Sequence, residues 1–322
     1  MIEHIAIFLL SCIVLVWAGG KTVIALSRIA RILKWKEFAV ASLLMAIGSS
    51  LPEFFVGIVS GINEKPQLSF GNVLGSNIVA LTLVIFIATL FLKTIKINRE
   101  AIKKSVSLAV IYIVLPFLLI FDGRLSRIDG FILIISFIFY LRHFFLQQQK
   151  FEKPFDHFQK TPQEKLKIFF KELGFFLLSL ILFLLSAEGI IFAAGEICSA
   201  THISLAIMGI LGIALGTSLP EITFTIRSIK MGHKEMVLGD ALGSVMVNTG
   251  LVLGTTILIS PFEIKHTGLY FNPLIFSFLV AVLFWIFART KNEINRKEGV
   301  ILFSVYWLFV IIETVIEALI NI

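Results

Sequence analysis

The sequence contains about ten runs of roughly 20 apolar residues, the length that an α-helix needs to cross the hydrocarbon core of a bilayer. Backbone groups in lipid must satisfy one another, and runs this long and uniform are typical of membrane-spanning helices. Hydrophobic residues make up 57% of the 322 residues and charged residues only 15%. We therefore predict an all-α integral membrane protein. The predicted spans are 4–27, 38–62, 68–92, 104–121, 129–149, 168–194, 203–227, 236–260, 270–288 and 298–320.

The basic residues predict how these spans are oriented. All but five of the 28 Lys and Arg residues lie in or beside the odd-numbered connections between predicted spans. Cytoplasmic loops of membrane proteins carry an excess of Lys and Arg, so the odd connections are predicted to be cytoplasmic. Both termini then lie outside a multi-pass protein of the cell membrane. Because topology explains the net charge of +7, we expect no nucleic-acid partner.

Two copies of one pattern occur along the chain. The sequence "GSSLPE" at 48–53 recurs as "GTSLPE" at 216–221, and the same shift along the chain carries "GNVLGS" at 71–76 onto "GDALGS" at 239–244. We call this shift, which aligns Gly48 with Gly216, the repeat offset. Each copy holds five predicted spans, and an odd number of spans gives the second copy the opposite orientation. Inverted repeats of this kind are typical of secondary transporters.

The predicted organisation follows from this duplication. A first five-helix repeat covers 1–149, with its motifs within 40–90, and a second covers 168–322, with its motifs within 206–260. The polar segment 150–167 between them is predicted to be a cytoplasmic linker.

The first motif places a helix breaker beside a carboxylate in the middle of a predicted span. Pro52 and Pro220 lack a backbone N–H and clash with the carbonyl one turn earlier, so each helix is predicted to break there. A break inside a bilayer frees carbonyl oxygens that protein, water or an ion must satisfy. Glu53 and Glu221 follow the prolines directly. Ionisable residues at membrane depth are expensive and are functional by default.

Oxygen atoms dominate the polar groups of this region. Hydroxyl groups come from Ser49, Ser50, Thr217 and Ser218, while all six histidines fall in predicted loops or near helix ends. Oxygen ligands favour hard cations such as Ca²⁺ and Na⁺, whereas Zn²⁺ and Cu²⁺ usually recruit His or Cys. The pattern therefore predicts a site for hard cations.

The second motif adds polar residues to the same region. Residues four apart share one face of a helix. That face carries Asn72, Ser76 and Ala80 in the first copy and Asp240, Ser244 and Asn248 in the second. Asp240 is interpreted either as a gate or as a carboxylate at the start of a helix.

These paired motifs resemble the α-repeats of the cation/Ca²⁺ antiporter superfamily, in particular its Na⁺/Ca²⁺ exchanger branch. The resemblance implies ten transmembrane helices with a cation site between helices 2, 3, 7 and 8. It also implies that Glu53 and Glu221 are the central ligands, supported by hydroxyls of Ser50, Ser218, Ser76, Ser244 and Thr217 and by backbone carbonyls of Ala46 and Ala214. Ser49 and Asn248 complete the predicted metal ligands.

Three positions depart from that family's usual pattern. Ala80 stands where Asn or Asp is usual, Asn248 where Asp is frequent, and Asp240 where Asn is usual. Relative to the family, the site has lost a ligand at Ala80 and a charge at Asn248. These changes move the sequence towards the H⁺-coupled members, which rely on the two glutamates.

The predicted function is antiport of Ca²⁺ against Na⁺ by alternating access, with an H⁺-coupled cation antiporter as the alternative. A cation channel is less favoured because channels usually form symmetric oligomers around a pore. An enzyme is not expected, since no nucleophile is paired with a base. No G-x-x-x-x-G-K-[ST] motif occurs, so an ion gradient must drive transport. We expect no cofactor, and a monomer working in the lipid bilayer.

Overall fold

The computed structural model describes residues 1–32, 47–97, 100–148, 161–230, 234–264, 267–290 and 292–320. These residues form ten helices and four short strands. The helices are α1 (Ile2–Ile32), α2 (Leu51–Ile62), α3 (Pro66–Leu92), α4 (Glu100–Leu119), α5 (Arg127–Gln148), α6 (Pro162–Thr201), α7 (Leu205–Lys230), α8 (234–259), α9 (Thr267–Thr290) and α10 (Arg296–Ile320). The strands are β1 (Thr94–Lys96), β2 (Arg124–Leu125), β3 (Phe262–Glu263) and β4 (Glu293–Asn295). The predicted ten-helix fold is confirmed.

Eight of these described helices are long and apolar enough to cross a membrane. The helix α2 is shorter, with 12 residues, and the first part of its predicted span falls on residues 38–46, outside the described ones. The helix α6 is longer than predicted, since it has 40 residues and begins within the segment 150–167 that was predicted as linker. Its start is fixed by a capping box, in which the Thr161 hydroxyl accepts from the backbone of Glu164 and the Glu164 carboxylate accepts from the backbone of Thr161.

The strands reveal the relation between the two repeats. The strand β1 pairs with β4, and β2 pairs with β3, both antiparallel. The repeat offset carries β1 onto β3 and β2 close to β4, so each pair is the counterpart of the other. The pairs β1·β4 and β2·β3 lie at opposite ends of the helix α4, since β1 precedes this helix and β2 follows it. The two repeats are therefore inverted relative to each other.

Among the residues that the structure describes, three stretches of π-helix interrupt the central helices. They are Ala80–Val84 in α3, Met208–Ile213 in α7 and Val247–Leu253 in α8. The stretches in α3 and α8 occupy equivalent positions of the two repeats. Such stretches occur frequently at functional sites because they shift the register of side chains along a helix.

The helices α3 and α8 form the centre of the molecule, and most of their residues are buried. The helices α3 and α7 cross in close contact at Gly71 and Gly209, where a Cβ on either residue would collide with a backbone carbonyl of the other helix. Large apolar side chains on the outer helices remain exposed, including Ile13, Phe139 and Leu185. Such surfaces suit contact with lipid.

The helices α1 and α6 pack along each other at the side of this centre. Their contact includes the buried residues Leu15, Ala18, Phe183 and Ile190. At one end of the pair the Arg28 guanidinium lies 2.5 Å from the Glu172 carboxylate, which is almost entirely buried. This ion pair compensates the charge of Glu172, because a buried carboxylate without a partner is costly.

Candidate functional site

The two glutamates lie in the helices α2 and α7, and the backbone geometry just before each of them differs. In the first repeat, residues 47–49 are helical, Ser50 forms a turn, and α2 begins at Leu51 with Pro52 in its first turn. Proline is well suited to a first turn, since its missing N–H is not needed there. The predicted break is therefore present in the first repeat, at Ser50.

The second repeat differs from this prediction. The helix from Ala214 to Lys230 runs through Pro220 without a break, so the predicted interruption is wrong at this position. Proline inside a membrane helix is tolerated when neighbouring groups satisfy the carbonyl that it frees. The helical geometry changes instead just before Ala214, in the π-helical stretch Met208–Ile213.

Pro52 and Pro220 both lie next to Gly19 of α1. A Cβ on Gly19 would lie 3.2 Å from Cγ of Pro220 and 3.7 Å from Cγ of Pro52. The two motifs, which are far apart in sequence, therefore approach each other in space. The glutamates that follow these prolines, one from each repeat, therefore lie close to each other.

The carboxylates of Glu53 and Glu221 are buried, with 0% and 1% exposure. None of their four oxygens makes a hydrogen bond of standard geometry with the described residues. Glu221 interacts electrostatically with Glu53 and with Asp240. Buried carboxylates without such bonds are unusual, because removing the group from water costs several kcal/mol unless a partner or cation compensates. Their arrangement suits the binding of a cation.

Hydroxyl groups lie near both carboxylates, although their geometry falls short of a standard hydrogen bond. The Thr217 hydroxyl interacts with the carboxylate of Glu53. The hydroxyls of Ser218 and Ser244 interact with the carboxylate of Glu221. Three of the hydroxyl groups predicted as co-ligands, those of Thr217, Ser218 and Ser244, therefore lie beside the glutamates.

Two hydrogen-bonded triads flank the glutamates. In the first, the Ser49 hydroxyl donates to Oδ1 of Asp240 at 2.9 Å and lies 3.4 Å from the Ser244 hydroxyl. We call this set the Asp240 triad. Ser49 comes from the first repeat, and Asp240 and Ser244 come from α8 in the second.

The second set is the counterpart of the first under the repeat offset. The Thr217 hydroxyl donates to Oδ1 of Asn72 at 3.0 Å and lies 3.4 Å from the Ser76 hydroxyl, which itself lies 3.3 Å from Asn72. We call this set the Asn72 triad. Each triad joins the two repeats, so the polar centre depends on both halves.

The remaining predicted ligands lie in the same helices. Ser50 and Ser218 are buried, and their hydroxyls make no hydrogen bond of standard geometry in the described chain. Asn248 is also buried, and both polar atoms of its amide lack a hydrogen-bond partner there. The Ala214 carbonyl accepts a long hydrogen bond from Thr217, at 3.4 Å. Ala46 lies outside the described residues.

The structure also assigns places to the residues that depart from the usual pattern. Asp240 lies in the interior of the helix Lys234–Met246, so it does not start a helix, and that interpretation is wrong. Ala80 is buried and begins the π-helical stretch of α3. Asn72 and Asp240 were absent from the predicted ligand set, although their spacing of four positions from Ser76 and Ser244 was visible in the sequence.

Comparisons with known proteins agree with this architecture. The sequence profile of the family described as sodium/calcium exchanger protein matches residues 3–146 and 171–315, which include both repeats. The inner membrane protein YrbG of Escherichia coli is 27% identical over 96% of this chain and 96% of its own. The sodium/calcium exchanger MaX1 of Methanosarcina acetivorans is 27% identical over 95% of this chain and 97% of its own.

A solved structure is also similar. The sodium-calcium exchanger NCX_Mj, soaked with 10 mM Na⁺ and 10 mM Sr²⁺, has a TM-score of 0.68 and 26% identity, covering 96% of this chain and 98% of its own. The ten helices, the inverted repeats and the family profile agree. This chain therefore belongs to the sodium/calcium exchanger protein family and is a secondary cation antiporter of the membrane, not an enzyme.

Proposed function

We propose that this chain exchanges Ca²⁺ for Na⁺ at a site centred on Glu53 and Glu221. The observation that carries the proposal is the burial of two carboxylates from equivalent positions of inverted repeats, with no standard hydrogen bond in the described chain. The hydroxyl groups beside them supply further oxygen ligands, which suit both Ca²⁺ and Na⁺. The proposed ligands are Glu53, Glu221, Ser49, Ser50, Ser76, Thr217, Ser218, Ser244 and Asn248, with the carbonyls of Ala46 and Ala214.

Repulsion between the two glutamates couples the transport of Ca²⁺ to that of Na⁺. Two like charges about 4 Å apart repel by roughly 4 kcal/mol at an effective dielectric constant of 20. A site that holds both glutamates ionised and no cation is therefore disfavoured. One Ca²⁺ or two Na⁺ neutralise the pair, and the protein changes its accessible face when either load is bound. This requirement produces exchange and suppresses uncoupled leakage.

The inverted repeats supply the two faces that alternating access needs. Each triad joins the repeats beside the glutamates, and each strand pair joins them at one end of the bundle. Because both halves of the site come from one chain, we propose that a monomer suffices.

The coupling ion is tested most directly by reconstitution. Purified protein in liposomes is given ⁴⁵Ca²⁺ outside and an outward gradient of Na⁺, or instead a pH gradient with choline replacing Na⁺. We expect uptake with the Na⁺ gradient alone. Uptake driven by pH and unaffected by the replacement of Na⁺ would reject Na⁺ coupling and establish the H⁺-coupled alternative.

We further propose that both termini lie outside the cell membrane and that the pair β1·β4 faces the cytoplasm, as the basic residues indicate. Lys96 in β1 and Glu263 in β3 are exposed, so each accepts a cysteine without loss of packing. An impermeant thiol reagent is expected to label Glu263→Cys in intact cells and Lys96→Cys only after lysis. Labelling of both from the same side would reject this topology.

A further inference from the structure

Three hydroxyl groups outside the triads are buried without a hydrogen-bond partner. Thr22 of α1 and Thr225 and Ser228 of α7 each have 0% exposure, and their hydroxyls lack a partner among the described residues. A hydroxyl in a membrane helix can satisfy itself by donating to the carbonyl one turn earlier. Thr82 and Thr256 do so. We call Thr22, Thr225 and Ser228 the hydroxyl row, because their hydroxyls remain available to another ligand.

On α7 the hydroxyl row leads away from the central carboxylate. Thr225 and Ser228 follow Glu221 by four and seven positions, so the three residues share one face of the helix. The helix ends at Lys230, which is exposed. We call the side of the membrane at this end the Lys230 face. The basic residues around it indicate that it is the cytoplasmic face.

The helix α1 runs parallel to α7 beside this row. A Cβ on Gly216 would lie 2.9 Å from Sγ of Cys12, and further along both helices a Cβ on Gly19 would lie 3.2 Å from Cγ of Pro220. The contacts advance in the same direction on both helices, which makes them parallel. Thr22 follows Gly19 by three positions and shares its face. Thr22 therefore lies beside α7 beyond the level of Pro220, towards the Lys230 face.

The opposite half of the molecule lacks such a row. Under the repeat offset the hydroxyl row corresponds to Ile190, Gly57 and Ser60. Ile190 is buried and apolar, Gly57 has no side chain, and the Ser60 hydroxyl donates to the Gly57 carbonyl at 3.0 Å. None of the three counterparts therefore offers an unpartnered hydroxyl.

The surroundings of Gly57 and Thr225 differ in the same way. A Cβ on Gly57 would meet the hydroxyls of Ser69 and Thr256, which are bonded to each other at 2.8 Å. The counterparts of these two residues are Val237 and Ala88, both buried and apolar. Hydroxyls are therefore paired in one half of the molecule and isolated in the other.

A buried hydroxyl without a protein partner is costly unless water or an ion satisfies it. We propose that Thr22, Thr225 and Ser228 line a hydrated route by which Ca²⁺ and Na⁺ pass between Glu221 and the Lys230 face, with no equivalent in the opposite half. This inference rests on the proposed exchange of Ca²⁺ for Na⁺. The hydroxyls replace part of the hydration shell of a passing cation. Entry and release at the Lys230 face therefore depend on them, and entry and release at the opposite face do not.

The test removes one hydroxyl with little change of shape, in Thr225→Val. Right-side-out and everted membrane vesicles present opposite faces, and an impermeant thiol reagent on Lys230→Cys identifies the Lys230 face. Vesicles loaded with Ca²⁺ take up ⁴⁵Ca²⁺ by exchange, which needs no Na⁺, and uptake by vesicles without the protein is subtracted. We expect the half-maximal Ca²⁺ concentration of Thr225→Val to rise about tenfold at the Lys230 face and to stay unchanged at the opposite face.

Two further variants separate the hydroxyl from packing. Thr225→Ser keeps the hydroxyl and is expected to behave almost as the unchanged protein. Ser60→Ala removes the hydroxyl that already has a backbone partner, and it is expected to leave both faces unchanged. The route would be overturned by an equal rise at both faces, by no rise at the Lys230 face, or by equal impairment in Thr225→Ser and Thr225→Val.

Chemical labelling tests the route even if Thr225→Val fails to fold. In a chain with Cys12 and Cys198 replaced by Ala, we expect a charged methanethiosulfonate reagent to modify Ser228→Cys from the Lys230 face during exchange. Ile226→Cys is the control, because it lies two positions earlier on the other side of α7, and it is expected to stay unmodified. An unmodified Ser228→Cys in exchanging vesicles would overturn the route, and so would equal modification of both cysteines.

These outcomes are separable from a failure of the proposed function. If the unchanged protein shows neither Na⁺-driven Ca²⁺ uptake nor exchange of Ca²⁺ against Ca²⁺, the proposed exchange is rejected, and with it the route for its ions. If the unchanged protein exchanges both ions and Ser228→Cys stays unmodified, the route alone is rejected.

Discussion

The Asp240 triad and the Asn72 triad occupy equivalent places in the two repeats, yet they present different electrostatics to the same pair of glutamates. Both join the repeats through a hydroxyl at the position directly before the "SLPE" sequence. One ends in a carboxylate and the other in an amide, and in the described chain Oδ2 of Asp240 and Nδ2 of Asn72 both lack a hydrogen-bond partner. Duplication has therefore conserved the geometry of the two triads, while a single side chain gives them different charges.

Glu53 and Glu221 are expected to contribute equally to Ca²⁺ transport, one from each repeat. Replacing either glutamate by Gln removes one buried charge but little volume, and breaking a buried charged interaction costs about 3–5 kcal/mol. At about 1.4 kcal/mol for each factor of ten, we expect Ca²⁺ transport to fall by more than about 100-fold in Glu53→Gln and in Glu221→Gln. The measurement is ⁴⁵Ca²⁺ uptake in liposomes containing equal amounts of folded protein.

The variant Glu64→Gln changes an exposed carboxylate beside α2 and is the matched control, with transport close to that of the unchanged protein. Near-normal exchange in either central variant would contradict the assigned site. A large loss in one variant only would contradict the equality of the two halves.

The close crossing of α3 and α7 supports one triad and not the other. Gly71 is adjacent to Asn72, and a Cβ there would collide with the carbonyl of Ala206. Overpacking of this kind typically costs about 1–3 kcal/mol. We expect Gly71→Ala to lower thermal stability in detergent and to separate Asn72 from Thr217, while the Asp240 triad stays intact.

Gly20 is the control for this substitution, since nothing lies within 4 Å of a Cβ placed on it. Alanine is the better helix former by about 1 kcal/mol, so Gly20→Ala is expected to be neutral or slightly stabilising. Equal melting temperatures for the two variants would show that the crossing tolerates a methyl group.

Much of this arrangement could be predicted because the duplication can be read directly from the repeated motifs in the sequence. The repeat offset relates "GSSLPE" to "GTSLPE", and it correctly predicted an inverted fold and the burial of both glutamates. Spacing of four positions also placed Asn72 with Ser76 and Asp240 with Ser244 on common faces.

The partners across the repeats could not be predicted from these patterns. The hydrogen bond from Ser49 to Asp240 depends on how the chain before α2 packs against α8, and sequence spacing carries no information about that contact. The fate of the prolines also depended on context. Pro52 falls in the first turn of a helix, whereas Pro220 lies inside a continuous one, although the sequences around them are almost identical.

Substitutions at positions 80 and 248 would add one candidate cation ligand to each repeat. Both are buried within the π-helical stretches of α3 and α8. The double variant Ala80→Asn with Asn248→Asp supplies an amide and a carboxylate on α3 and α8, the helices that carry Asn72 and Asp240. A hydrogen bond or ligand contact involving a charge contributes about 1.5–3 kcal/mol, so we expect Na⁺ to compete with Ca²⁺ roughly tenfold more strongly.

Competition is measured as the Na⁺ concentration that halves Ca²⁺–Ca²⁺ exchange. The single variant Ala80→Ser is the control for added volume at that position, and it is expected to change the competition much less. An unchanged Na⁺ requirement in the double variant would mean that residues 80 and 248 do not face the bound cations.

The smallest expected difference lies between Ser76 and Ser244, and it separates the two triads most finely. Each hydroxyl lies 3.4 Å from the hydroxyl of its triad partner, so the substitutions Ser76→Ala and Ser244→Ala remove the same atom from matching places. A neutral hydrogen bond contributes about 0.5–1.5 kcal/mol, and one to a charged group about 1.5–3 kcal/mol. Ser244 also interacts with the carboxylate of Glu221, whereas the described partners of Ser76 are the neutral groups of Asn72 and Thr217. We therefore expect Ser244→Ala to raise the Na⁺ concentration for half-maximal Ca²⁺ uptake by about tenfold and Ser76→Ala by about threefold or less. Equal effects, or a larger effect at Ser76, would indicate that the charged partner of Ser244 does not distinguish the two halves during transport.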